Sequence, residues 1–252
     1  YDLIGFIYSS LICISIGTPI WFFTRHNKSL NNKVGFAVVT FSWIIAAIGS
    51  SLPFYLSGAI PNYTDAFFES MSGLTTTGAT LMVGLDTLPK SILYYRQQLQ
   101  WLGGMGLVIL AIAILPMLGV GGNLLYKAES TGPIKDTKIS PRIAETAQSL
   151  WSIYLGLTIL CSLFYYFAGM NFFDAVAHGF STIAIGGFST HDESIGFFNS
   201  ISIEMICICF MLPSACSFAL HYFAIYKKKP LKYAFDPEFR FFISFLLITL
   251  FI

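Results

Sequence analysis

The chain has 252 residues, of which 55% are hydrophobic and 11% charged, with a net charge of +1 and a mean hydropathy of +0.70. Soluble domains carry roughly a quarter charged residues, so this composition excludes one, and the small net charge gives no reason to expect a nucleic-acid partner. The chain reads as an all-α polytopic membrane protein, surrounded by membrane lipid.

Apolar runs of spanning length, about 20 helical residues, fall at about 3–23, 34–57, 91–117, 146–168 and 198–225, and a sixth starts near 239. Two pieces, 62–76 and 172–185, remain between spans and are too short to cross. They are expected to be re-entrant. Irregular backbone at membrane depth survives only where protein buries it or a watery path runs beside it. Tyr1 in place of an initiator Met, and an end inside an apolar run, are expected to be cuts through a longer chain.

The two re-entrant pieces echo each other. DAFFESMSGLTTTGAT from Asp65 aligns with DAVAHGFSTIAIGGFS from Asp174, 109 positions later, with four of sixteen positions identical. Each is followed by a Gly-containing loop and then by a run that starts Ser-Ile, at Ser91-Ile92 and Ser200-Ile201. The units read as the end of a preceding helical unit over 1–33, a first helix–pore loop–helix unit over 34–125, a loop over 126–145, a second unit over 146–226, and a loop plus the start of a third unit over 227–252.

Twelve of the 14 basic residues lie in the loops 24–33, 126–145 and 226–240, which the positive-inside rule makes cytoplasmic. Only Lys90 and Arg96 lie opposite, against eight acids, so the outer mouth is expected to attract cations. Lys227, Lys228 and Lys229 read as a topology anchor. Asp65 and Asp174 sit in the first turn of each short helix, where carboxylates answer orphan N–H groups. Each short helix then starts outside and points about half a negative charge at the membrane centre, which favours a cation.

After these helices come Thr75-Thr76-Thr77-Gly78-Ala79 and Ala184-Ile185-Gly186-Gly187-Phe188. A cation that sheds water needs compensating oxygens, and backbone carbonyls supply them without buried fixed charge. Aiming consecutive carbonyls at one axis requires backbone angles that Gly adopts without steric cost. Thr side chains are placed to tie such a loop from behind.

The strings SMSGLTTTGATL, QQLQWLGGMGLVILAIAILPMLGVGG, LYKAES, PRIAETAQSLW and HGFSTIAIGGFSTHD resemble the membrane subunit of Trk-type potassium uptake systems, in the Trk/Ktr/HKT superfamily, over essentially the whole chain. The resemblance implies four helix–pore loop–helix units around one filter, potassium as the transported ion with no cofactor, a homodimer of the full-length protein, and a cytoplasmic nucleotide-binding regulatory subunit. It places the filter glycines on Gly78 and Gly187, with Thr76, Thr77, Ile185 and Gly186 supplying the carbonyls just before them. Two units are half of the implied ring.

Other features receive plainer readings. Gly103-Gly104-x-Gly106 has no strand before it, so close helix packing is expected there, not a nucleotide loop. Arg96 and Trp101 are expected in the interfacial belt, with Arg96 snorkelling outward. Glu69 and His178, equivalent in the repeat, are expected at the outer vestibule or behind the filter. His178, His191, Asp192 and Glu193 with Asp174 suggest a metal-dependent enzyme as a rival, but a contiguous loop run lacks the i, i+4 spacing of helix-borne ligands, and no nucleophile accompanies it. A non-conducting scaffold is the third class. Cys13, Cys161, Cys207, Cys209 and Cys216 lie in apolar spans and read as packing residues.

Overall fold

The structure, a computed structural model, describes residues 2–25, 32–106 and 143–250. It is helical, with no strand among the described residues. Among the described residues ten α-helices follow in order: α1 Asp2–Thr24, α2 Asn32–Leu56, α3 Tyr63–Leu74, α4 Lys90–Gly104, α5 Ile143–Phe167, α6 Phe172–Ala184, α7 Ile201–Ala215, α8 Phe218–Ile225, α9 Lys232–Phe235 and α10 Pro237–Leu250. Leu3–Thr24 and Gln148–Phe167 are long and apolar enough to cross a membrane, and Thr40–Leu56 and Ile201–Ala215 are shorter apolar helices. The expected segments 107–117 and 126–142, with Lys127, Lys135, Lys138 and Arg142, lie outside the described residues.

Both short helices form where the repeat places them, and both begin with an Asn cap. Asn62 accepts from the Thr64 N–H at 3.0 Å and Asn171 from the Asp174 N–H at 3.0 Å. The capping expected of Asp65 and Asp174 therefore falls to the Asn three residues earlier in each unit. The N-x-x-D pairs at 62–65 and 171–174 carried that signal in the sequence.

The expected span over 198–225 is two helices. Pro213 lies near the end of α7, Cys216 is extended at φ −81° and ψ 153°, and α8 restarts at Phe218. A proline has no N–H to donate and its ring crowds the carbonyl four residues back. The helix stops within a turn, and the Pro213 carbonyl accepts instead from the Cys216 N–H and pairs with His221 Nε2.

Two apolar cores form among the described residues, one around each short helix. The first gathers Phe54, Ala66, Leu74, Met82, Ile92 and Leu99; the second gathers Leu150, Tyr154, Tyr165, Met170, Ile183 and Ile203. Helix α4 serves both, contributing Ile92, Leu93 and Leu99 to one, while Met105 at its end joins the other. Cys161 is buried as expected, but Cys13 and Cys209 face outward.

Candidate functional site

The loops after α3 and α6 have matching backbone. Thr77 N–H bonds the Ser72 carbonyl at 2.9 Å and Gly186 N–H bonds the Ser181 carbonyl at 2.9 Å; the Thr76 and Ile185 N–H groups likewise turn back to Gly73 and Thr182. All four pairs are related by the offset of the sequence repeat. Thr76 has φ +55° and Gly78 +76°, while Ile185 has φ +53° and Gly187 +80°. The intervening Thr77 and Gly186 do not, so left-handed residues alternate with ordinary ones in each loop. A left-handed β-branched residue is a genuine outlier, and strain of about 1–3 kcal/mol persists only where surroundings impose it.

In a trans peptide the carbonyl of the preceding residue points opposite the N–H, so the Thr77 and Gly186 N–H bonds turn the Thr76 and Ile185 carbonyls away from the short helices. Those of Thr76, Thr77 and Ile185 accept no hydrogen bond among the described residues. The Gly186 carbonyl differs: it accepts from Gln100 Nε2 at 2.7 Å. A carbonyl has two lone pairs, so one acceptor site remains. The two loops abut, since a Cβ added to Gly78 would lie 2.1 Å from the Gly186 oxygen.

Equivalent side chains make the same bond by different chemistry. In the first unit, Glu69 accepts from the Thr80 hydroxyl at 2.8 Å and from the Leu81 N–H at 3.0 Å. In the second, His178 Nε2 and Ser189 Oγ are 2.9 Å apart. Glu69 aligns with His178, and Thr80 with Ser189. Both members of the first pair of equivalents are buried behind the loops, 0% and 2% exposed. Both lie behind the loops and not at an open vestibule.

Arg96 overturns its expected place in the interfacial belt. It is completely buried, and its Nε donates to Glu69 Oε1 at 2.8 Å. Nη2 donates to Thr80 Oγ1 at 3.0 Å and Nη1 to the Ser189 carbonyl at 3.1 Å. Its guanidinium carbon lies 4.3 Å from the centre of the Phe188 ring. Helix α4 packs against both short helices and Arg96 is fully buried between them, so a cation there requires partners. Trp101 is half-buried, stacked 5.0 Å from Phe180 and donating to Thr158 Oγ1 at 3.0 Å.

One turn further, Gln100 repeats the arrangement for the second loop alone. Its Oε1 accepts from the Ser181 hydroxyl at 2.9 Å and the Phe188 N–H at 3.1 Å. In the first loop, Ser72 bonds the Ala79 carbonyl directly at 2.6 Å, and Thr75 ties back to Met71 at 2.7 Å. Lower still, a Cβ on Gly103 would lie 1.8 Å from the Leu74 oxygen, and one on Gly104 2.8 Å from Ala184 Cα. The glycines expected to permit close packing bring α4 against the ends of both short helices.

At the turns that follow the two loops, Asp192 accepts from the Leu85 N–H at 3.1 Å, and His191 Nδ1 pairs with Asp86. That bond holds the Asp86 carboxyl below the usual carboxylate range. Asp174 is occupied by Thr190 at 2.7 Å and by His191 at 3.2 Å. No group of three or more His, Cys, Asp or Glu side chains among the described residues is arranged to hold a metal. The sequence pattern identified the loops but not Gln100, whose sole hint was its i+4 spacing from Arg96 on one helix face.

The family described as TrkH, cation transport protein, matches residues 5–252. The Trk system potassium uptake protein TrkH of Halomonas elongata is 54% identical over 244 residues, covering 96% of this chain and 51% of that protein. The protein of the same name from Escherichia coli K12 is 53% identical, covering 95% and 50%, and the Trk system potassium uptake protein TrkG of that organism is 42% identical, covering 96% and 50%. The crystal structure of the potassium transporter TrkH from Vibrio parahaemolyticus matches with a TM-score of 0.81 at 48% identity, over 97% of this chain and 50% of that one. The chain thus spans about half the length of these relatives, which are named as transport proteins and not as enzymes. In sequence and in fold, it belongs to the TrkH family of cation transport proteins.

Proposed function

We propose that this chain supplies two of the loops that line a potassium uptake path across the inner membrane of a bacterium. The carbonyls of Thr76, Thr77, Ile185 and Gly186 replace water around the ion, and Gly78 and Gly187 allow the turns that aim them. The observation that carries this reading is the alternation of left-handed residues in two loops related by the repeat, with β-branched Thr76 and Ile185 held there against their preference. Each loop follows the C-terminal end of a short helix, whose partial negative charge favours a cation. The membrane potential would drive entry, at about 2.3 kcal/mol per charge per 100 mV.

The outer face of the loops, a two-fold dimer of the full-length protein and a cytoplasmic nucleotide-binding partner belong to the same proposal and rest on the family and on the distribution of Lys and Arg. Orientation is tested with a Cys at exposed Glu193 and another at exposed Lys227. The first is expected to react with an impermeant thiol reagent in intact cells and the second only after the membrane is opened. The reverse pattern overturns the orientation.

The test of the ion path is Gly187→Ser in the complete protein. A Cβ at Gly187 meets nothing within 4 Å among the described residues, so the change strains the backbone without filling space. Rubidium and sodium uptake in cells lacking other potassium importers should show selectivity falling more than total flux. An unchanged ratio at normal expression would count against the filter assignment, and the scaffold reading would predict no cation flux at all.

A further inference from the structure

We infer that Arg96, paired with Glu69, is a positioning residue for ion selectivity: one guanidinium fixes the outer ends of both loops relative to each other. This rests on the reading that the loops line a potassium path. Thr80 stands two residues after Gly78, and Ser189 two residues after Gly187. Arg96 bonds the first through its side chain and the second through its carbonyl, at 3.0 and 3.1 Å. It therefore touches equivalent points in two units.

The arrangement is asymmetric. The repeat offset takes Arg96 to Met205 and Glu69 to His178, so the second unit has no counterpart of the ion pair. Glu69 holds Thr80 and Leu81 while neutralising Arg96; Phe188, in the second loop, lies across the guanidinium face. Each group thus contacts a residue within four positions of a loop glycine. Moving the guanidinium moves both loops, and selection between two ions of equal charge depends on where the carbonyls stand.

Three variants of the complete protein test this in cells lacking other potassium importers, with membrane content, rubidium uptake and sodium uptake measured together. Thr80→Val removes the hydroxyl between Arg96 and Glu69 while keeping shape. Arg96→Lys keeps the charge but not the three-point fork. Arg96→Met with Glu69→Met removes both charges, a replacement that buried pairs often tolerate.

Thr80→Val and Arg96→Lys are expected to reach the membrane at wild-type levels with the rubidium-to-sodium ratio reduced at least about tenfold. The double Met variant should recover the membrane content that Arg96→Met alone loses, but not the ratio. A merely structural pair would restore both. Wild-type selectivity in Thr80→Val and Arg96→Lys, or in the double variant, overturns the inference. Should the Arg96 variants fail to accumulate, Thr80→Val decides alone. A wild-type protein without preference for rubidium would instead sink the potassium reading itself.

Discussion

The two loops share a backbone and differ in what holds them. The first is secured by a buried carboxylate, Glu69, whose charge is met by Arg96. The second is secured mainly by neutral groups, His178 on Ser189 and Gln100 on Gly186 and Phe188, with Arg96 reaching only its Ser189 carbonyl and the Phe188 ring. The same backbone is reached through two energetic regimes. A buried ion pair contributes modestly when complete but leaves a costly orphan when halved, whereas each neutral bond contributes about 1 kcal/mol and fails singly. The first loop should therefore fail abruptly and the second by degrees.

Arg96→Met breaks the comparison most sharply, since it strands Glu69 in a dry site. A loss of about 3–5 kcal/mol is expected, read as a lower unfolding temperature of the purified complete protein. Gly78→Ala comes next, at about 3 kcal/mol, combining left-handed strain with overpacking. Its Cβ would lie 2.1 Å from the Gly186 oxygen, so damage to the first loop is transmitted to the second.

Gln100→Leu is expected to cost about 2 kcal/mol by leaving the Gly186 carbonyl and Phe188 N–H unpaired. Hydrogen exchange should rise at Phe188 and not at Thr77, whose N–H is held by Ser72. Gly187→Ala is the smallest, about 1–2 kcal/mol of left-handed strain alone, because nothing described lies within 4 Å of its Cβ. Equal losses for Gly78→Ala and Gly187→Ala in the same melting assay would remove the asymmetry from the comparison.

Much of this was legible in the sequence because apolar length and a 109-residue echo are local patterns. They fixed α3 and α6 to within two residues and placed both glycine loops. What they could not convey is which polar residue inside an apolar run faces protein. Arg96 carries the composition of a belt residue, and only the wedging of α4 between two short helices turns it inward. Gln100 was missed for the same reason: beyond its spacing from Arg96, its partners lie 81 to 88 residues later in the chain. The break at Cys216 was locally readable, since Pro213 stands in plain view, but the surrounding hydropathy masked it.

The span of chain between Arg96 and Ser189 has a consequence for synthesis. Glu69 precedes Arg96 by 27 residues, whereas Ser189 follows it by 93. At about 5–20 residues per second, the ribosome delivers Arg96 some 5–20 seconds before its last acceptor exists. An unpaired cation is expensive at membrane depth, and Glu69 is the partner that already exists when Arg96 is made. The acceptor in the second loop is thus the last of Arg96's partners to be synthesised.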